Sequence, residues 1–345
     1  MLPIKNMERK AQTALNELIT QLKNREFKYV EREEKPVDWR AYNAAQLSDL
    51  RFFLTQTRKL VDRAAALLPE KQNGVGRPRK EASDITKAVL LMEYLQVSER
   101  GASNWLWVFK EKLGVTAELS PRSIGRGFEN PDVQFILLKV LEWSSESFAG
   151  VEKTVAVDAT GVTESIKQNY ESAKQADDGK AASFLKLSLC VGTAGHGVAS
   201  FALTRGVGDS PLFEPLLEEA VVRWPFVEEV DADAGYLSRR NCQAAADLGV
   251  TPFIFPKEGI TLNQRGFPAW KTMLAGLTLA PQEWLAAYHL RSASESVNSC
   301  LARRFRKLSC RKAETKNYEE ITRLVLHNLR QVNTAVHEGK IGPPK

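Results

Sequence analysis

The hydrophobic pattern of this chain changes period at residue 153, and that change restricts the architectures open to it. Before it, apolar side chains recur at helical spacing, as in Leu15, Leu18, Ile19 and Leu22. The spacing predicts helices over 7–30 and 43–68, a helical stretch over 84–113 broken near 98–101, and one or two helices within 121–148. A charged break at 31–36 and a linker at 69–80 (PEKQNGVGRPRK) interrupt the series. From Lys153 onward the apolar residues crowd into short β-rich runs at 153–161, 184–191 and 198–204. The last two alternate and are split by the glycine-rich stretch 192–197, the pattern of an antiparallel hairpin.

Helix and strand then take turns. A helix over 210–223 opens at an expected N-cap Ser210 with Pro211 in its first turn. A strand at 227–230, a helix at 238–248 ending on Gly249, and a strand at 251–255 follow. Helices over 283–308 and 316–335 close the series. The order β-β-β-α-β-α-β-α behind an all-α region predicts an α/β fold. Its three leading strands resemble a ribonuclease-H-like mixed sheet flanked by helices better than a doubly wound sheet.

Composition removes several classes of function. No apolar run approaches the roughly 18 residues of a membrane span, and the first 28 residues lack the apolar core of a secretory signal. Cys190, Cys242, Cys300 and Cys310 are widely spaced, which argues against a zinc ribbon or disulfide framework and suits a reducing cytoplasm. With four scattered histidines, carboxylates are the expected metal ligands, favouring Mg²⁺ or Mn²⁺. The net charge of +6 is unevenly spread. Residues 151–280 carry 12 Lys and Arg against 16 Asp and Glu, whereas 281–345 carry 12 against 6. A slightly acidic centre between basic flanks fits a polyanionic partner, and equally an ordinary soluble protein.

Three carboxylates fall where this topology gathers side chains. Asp158 ends the first strand, Asp233 follows the fourth, and Glu295 lies on the helix after the last. Clustered carboxylates raise each other's pKa unless cations neutralise them, and a pair of hard divalent ions would suit phosphoryl transfer. Each residue also has a plain structural reading. A strand-end Asp commonly caps a turn, Asp231 shares a face with Asp233 and is an alternative ligand, and Glu295 can pair with Arg291 four residues earlier.

With these residues the chain resembles an insertion-sequence DDE transposase of the large four/five superfamily. The resemblance covers about 84–335. Val157-Asp-Ala-Thr-Gly161 resembles the first-Asp motif, Asp233-Ala-Gly-Tyr236 the second, and Tyr288, Arg291 and Glu295 the Y-R-E part of the Y-R-E-K signature. Lys186, Gly208-Asp-Ser210 and the segment 317–328 resemble intervening and closing motifs. The signature Lys is absent, because Ala302 occupies its place and Arg303, Arg304 and Arg306 follow. Arg binds phosphate with a different geometry from Lys.

The resemblance implies four regions: an N-terminal helical region and basic linker (1–80), a helical DNA-binding domain (81–150), a ribonuclease-H-like catalytic domain (151–335) and a tail (336–345). It implies a transposase that binds the ends of its element, hydrolyses the strand there and joins the freed 3′-hydroxyl to target DNA. Asp158, Asp233 and Glu295 would hold two Mg²⁺ ions, with Mn²⁺ as substitute. Lys186, Tyr288 and Arg291 would contact phosphates. Double-stranded DNA is the implied partner, a homodimer the implied assembly, and the cytoplasm, at the nucleoid, the implied location. A non-catalytic regulator derived from a transposase and a plain metal-dependent nuclease are the alternatives.

Several segments compete to bind DNA. Gly76-Arg-Pro-Arg-Lys80 resembles an AT-hook core, with Arg77, Arg79 and Lys80 as contacts, and also reads as a basic linker. The two helices split near 98–101 resemble a helix-turn-helix, yet Trp105, Trp107 and Phe109 on the second suggest a packed core. A helix opening at Ser120 with Arg122 and Arg126 is the other candidate. Arg303, Arg304, Arg306 and Lys307 form the densest basic run and are expected to meet DNA.

Overall fold

Val155, Ala156 and Val157 have no solvent exposure in β1 (Thr154–Gly161), as expected of a central strand covered on both faces. The structure is a computed structural model and describes residues 2–28, 36–69, 79–164 and 185–344. Its sheet has five strands in the order β3-β2-β1-β4-β5, with β2 (Leu185–Gly192), β3 (Val198–Arg205), β4 (Glu229–Ala232) and β5 (Thr251–Ile254). β1, β4 and β5 are parallel. Backbone bonds from Thr193 to Thr154 and from Val162 to Leu185 run β2 against β1. Five residues join β2 to β3, too few for a parallel crossover. The mixed sheet is ribonuclease-H-like.

The helices are α1 (Leu2–Lys23), α2 (Trp39–Ala65), α3 (Ala82–Leu95), α4 (Glu99–Leu113), α5 (Pro121–Gly125) and α6 (Pro131–Ser144) before the sheet. Within and after it come α7 (Ser210–Arg223), α8 (Arg239–Asp247), α9 (Pro268–Leu279), α10 (Pro281–Tyr288), α11 (Ser292–Arg304) and α12 (Ala313–His337). Three local expectations shift. Asp209, not Ser210, occupies the cap position of α7, but its side chain makes no cap bond and pairs with Lys186 instead. The single helix expected over 283–308 is two, divided by a 3-10 turn at His289–Arg291. α9 lay in a stretch with no expected element. The linker at 70–78 and most of the charged break at 31–36 lie outside the described residues.

The chain packs as two compact units. One comprises Met1–Pro36, Glu152–Thr160 and Lys186–Val297, the other Val37–Val151, Gly161–Leu185 and Asn298–Lys345. In the first, α1 packs on α9, and Gln12 exchanges hydrogen bonds with Ile260 O (2.9 Å) and Leu262 N (2.8 Å). The buried Glu152 carboxylate accepts from Ala194 N at 2.9 Å and Gly195 N at 2.6 Å, clamping the β2–β3 turn. A Cβ on Gly192 would lie 2.1 Å from the Glu152 carboxyl carbon, so the clamp requires glycine there.

In the second unit α12 packs against α2, α6 and α3. Its centre holds an ionic cluster: Arg323 pairs with Glu93 (3.4 Å), Glu319 (3.1 Å) and Glu320 (3.6 Å), all buried. Glu319 also accepts from Ser309 N and Cys310 N, each at 2.8 Å, pinning the segment before α12. One guanidinium cannot neutralise three carboxylates. Burial above all, with Glu319 and Glu93, pushes the Glu320 carboxyl up to about 7 against the pull of Arg323. Among the described residues no helix is long and apolar enough to cross a membrane.

Two measurements test these clamps. Gly192→Ala is expected to cost about 3 kcal/mol or more by driving a methyl into Glu152. Gly150→Ala, with nothing within 4 Å of the added atom, should leave the thermal midpoint near wild type. Folded Glu320 keeps a proton that the unfolded chain releases above 4.5, so it drains stability as pH rises from there to about 7 and no further. Glu320→Gln should therefore match wild type at pH 4 and melt about 5 °C higher at pH 8.

Candidate active site

Strand register builds the site. In the parallel pair β1–β4, Ala156 lies opposite Asp231 and Val157 opposite Ala232. Continuing that register by one residue sets Asp158 beside Asp233, which lies just past the carboxyl end of β4; β1 itself runs on to Gly161, so Asp158 does not end its strand as the sequence suggested. Alternate residues share a face, and paired strands lie about 4.8 Å apart, so the two carboxylates neighbour one another. β4 stops at Ala232 because Asp233 opens a 3-10 turn, Ala234–Tyr236, and accepts from Gly235 N at 2.8 Å.

The pair sits in a poorly solvated place. Burial raises the Asp158 carboxyl above its ordinary range and Asp233 adds to the rise. Ala159 N, donating to Asp158 Oδ1 at 2.8 Å, and the Arg291 guanidinium oppose it. Ser294, fully buried on α11, donates to Arg291 O at 2.8 Å and stands 3.3 Å from Asp158 Oδ2. Arg291 pairs with Glu295 and lies over the Tyr288 ring at 5.9 Å. Tyr288 in turn stacks on Trp284 with ring centres 5.4 Å apart. Glu295 is 57% exposed and its partner is Arg291.

Asp231 lies one pleat below the pair on the same face. It is fully buried, and among the described residues neither carboxyl oxygen has a hydrogen-bond partner. Burial, reinforced by Glu229, pushes it up to about 9. Its surroundings thus disfavour the charged form, against the pull of Arg291. Lys186 on β2 is buried and already engaged: its Nζ donates to Val207 O and to Asp209 Oδ1, the latter at 2.7 Å.

Asp158 and Asp233 present hard oxygen donors to a common space. Mg²⁺ is commonly held by one or two carboxylates together with waters and substrate phosphates, so this pair fits a divalent cation. Among the described residues no group of three or more His, Cys, Asp or Glu side chains is placed to share one ion. The structure therefore brings together two of the three expected carboxylates and keeps Glu295 on Arg291.

The remaining basic residues have varied surroundings. Arg303, Arg306 and Lys307 are exposed, while Arg304 is half-buried over the Tyr94 ring at 5.6 Å. Arg79 is exposed and Lys80 half-buried just before α3; Arg77 lies outside the described residues.

The family model of the transposase DDE domain matches residues 149–329, from just before β1 into α12. The chain belongs to the DDE transposase family. Members of this family act on DNA and generally use divalent metal ions. No curated protein and no solved structure gives a significant match. In this transposase two residues outside the strands, to which the sequence assigned no role, meet side chains of the sheet. Ser294, against Asp158, is a serine in a serine-rich stretch and gave no signal. Asp209 lay within the quoted Gly208-Asp-Ser210 motif, but its pairing with Lys186 depends on a sheet contact invisible in sequence.

A Cβ on Gly235 would approach Asp233 Oδ1 to 2.9 Å and Asp209 Oδ2 to 3.3 Å. Gly235→Ala is expected to displace the Asp233 carboxylate and lower DNA cleavage at least about tenfold. The circular dichroism spectrum should stay that of wild type; unchanged cleavage would show that the carboxylate position is not critical.

Proposed function

We propose that this transposase hydrolyses the DNA strand at the ends of its mobile element and then joins the freed 3′-hydroxyl to target DNA. The observation that carries the proposal is the side-by-side placement of Asp158, on β1, and Asp233, just past the end of the parallel β4. In the first step a water oxygen attacks the phosphorus, the bond from phosphorus to O3′ breaks, and O3′ takes a proton. In the second step that 3′-hydroxyl attacks a target phosphorus and loses its proton, while the target's own O3′ leaves. Asp158 and Asp233 would hold the divalent ions, Mg²⁺ or Mn²⁺, with Glu295 as third ligand. When bound, such ions supply Lewis acidity toward the attacked phosphate.

The chain's own groups divide the remaining work. Arg291, a fixed cation beside Asp158 and half-buried against Tyr288, is suited to hold a phosphate near the carboxylate pair. Ser294 orients Asp158 through its hydroxyl. Gly235 N holds one Asp233 oxygen and leaves the other to face the site. Two copies of the chain would handle the two element ends. The Glu295–Arg291 pair, with Ala302 in place of the signature Lys, favours a second reading in which the chain binds DNA without cutting it.

A plasmid carrying the gene's own flanking DNA separates the readings. With Mg²⁺ or Mn²⁺, wild type should nick at the flank boundary and form joined products. Asp233→Ala should lose more than about a hundredfold in rate, and a chelator should stop cleavage while binding persists. Binding by both proteins with cleavage by neither would favour the non-catalytic reading, and nicks without joined products a plain nuclease.

A further inference from the structure

We propose that α4 and the basic turn packed beside it read duplex DNA, with Arg100, Asn104 and Trp107 toward the bases and Arg306 and Lys307 toward the phosphates. The inference rests on the reading of this chain as a protein that acts on DNA, and assigns that contact to one surface of the helical unit.

The geometry comes first. α3 ends at Leu95 and is capped by Gln96, whose backbone is left-handed (φ 53°), and α4 begins after Ser98, whose side chain accepts from Gly101 N at 3.3 Å. Three residues therefore reverse the chain between two packed helices, the link of a helix-turn-helix. The turn is tight: a Cβ on Gly101 would lie 2.9 Å from Val97 Cβ. α4 buries Ala102, Leu106 and Leu113. The opposite face carries Arg100, Asn104, Trp107 and Val108, spaced to form one exposed stripe. Trp107 is 81% exposed and Trp105 44%, so these rings do not fill the core that their hydrophobicity suggests.

Charge then selects the occupant. Arg306 N donates to Gln96 Oε1 at 2.9 Å, and the Arg306 guanidinium donates to Val97 O. Arg306 and Lys307 thus border the turn, and with Val97, Ser98 and Glu99 they line an open cavity of about 400 Å³. Glu319 fixes the following Ser309 and Cys310, so the basic segment is presented on a rigid support. Arg122 and Arg126 are exposed on and just after α5, which packs on α4. A helix whose amino-terminal half offers Arg and Asn, flanked by exposed cations, matches the major groove. Arg pairs with guanine and Asn with adenine, an apolar ring can meet the thymine methyl, and the flanking cations meet phosphates.

Selection from a pool of duplexes with randomised centres, by the full chain in a chelating buffer, tests this without any cleavage. Wild type should enrich a short motif. Arg100→Ala and Asn104→Ala should lose preference at one or two positions, and bind the wild-type winner about tenfold to a hundredfold more weakly. The double variant Arg306→Ala, Lys307→Ala should keep the motif, weaken all duplexes alike, and lower the salt slope by about 2. All of these side chains are exposed, so the fold should survive. Wild-type motif and affinity in the α4 variants would overturn this inference alone, and would leave the face to a protein partner. Enrichment of no motif by wild type would overturn it as well. Failure to bind any duplex would overturn the DNA reading from which it starts.

Discussion

Parallel pairing of β1 with β4 is the constraint around which the sheet-bearing unit is organised. It forces two carboxylates, Asp158 and Asp233, to the same edge and face. Two carboxylates so placed repel one another when both are charged. The surrounding groups manage that repulsion. Ala159 N and Gly235 N each bind one oxygen, Ser294 approaches Asp158, and the positive charge of Arg291 favours the Asp158 carboxylate. Asp231, one pleat deeper, receives no hydrogen bond among the described residues, and its burial disfavours a third negative charge there. A site that concentrates negative charge without fully compensating it is prepared for cations and for phosphate held beside them.

Arg291 connects the parts of this arrangement. It is half-buried, packs over Tyr288, pairs with Glu295 and acts on both Asp158 and Asp231. The 3-10 turn at His289–Arg291 swings the chain between α10 and α11 and sets this guanidinium beside the strand ends. A straight helix over 283–308 would have preserved the spacing of Tyr288, Arg291 and Glu295 without this bend. The helical unit handles buried charge in a different manner. There Arg323 serves three glutamates, and the excess is relieved by keeping Glu320 near half-protonation at neutral pH.

Much of the local structure was legible in the sequence. The β-rich runs after residue 153 became β1, β2 and β3, because alternation and β-branched content are properties of short segments. The helix over 210–223 was readable from Pro211 and its apolar spacing, although the cap position fell on Asp209, whose carboxylate pairs with Lys186 and makes no cap bond. Asp158 and Asp233 were legible because each stands with a β-rich run in a recognisable motif, although β1 continues past Asp158 to Gly161. α9 was missed because the segment before it, 256–267, carries no periodic pattern. The exposure of Trp105 and Trp107 was open in the sequence because hydrophobicity reports a cost of exposure, not whether another element is present to remove it.

The sequence by itself determined the strand and helix order, the family, and the positions along the chain of the acidic and basic residues. Tertiary structure decided which distant segments share a unit: α1 with the sheet, and α12 with α2, α3 and α6. It also decided that Glu295 meets Arg291 while Ser294 meets Asp158, and that Lys186 is spent on Asp209. The physical reason is the range of the interactions. Periodicity, caps and turns depend on neighbours within a few residues. Ion pairing and burial depend on side chains brought together from tens to hundreds of residues apart.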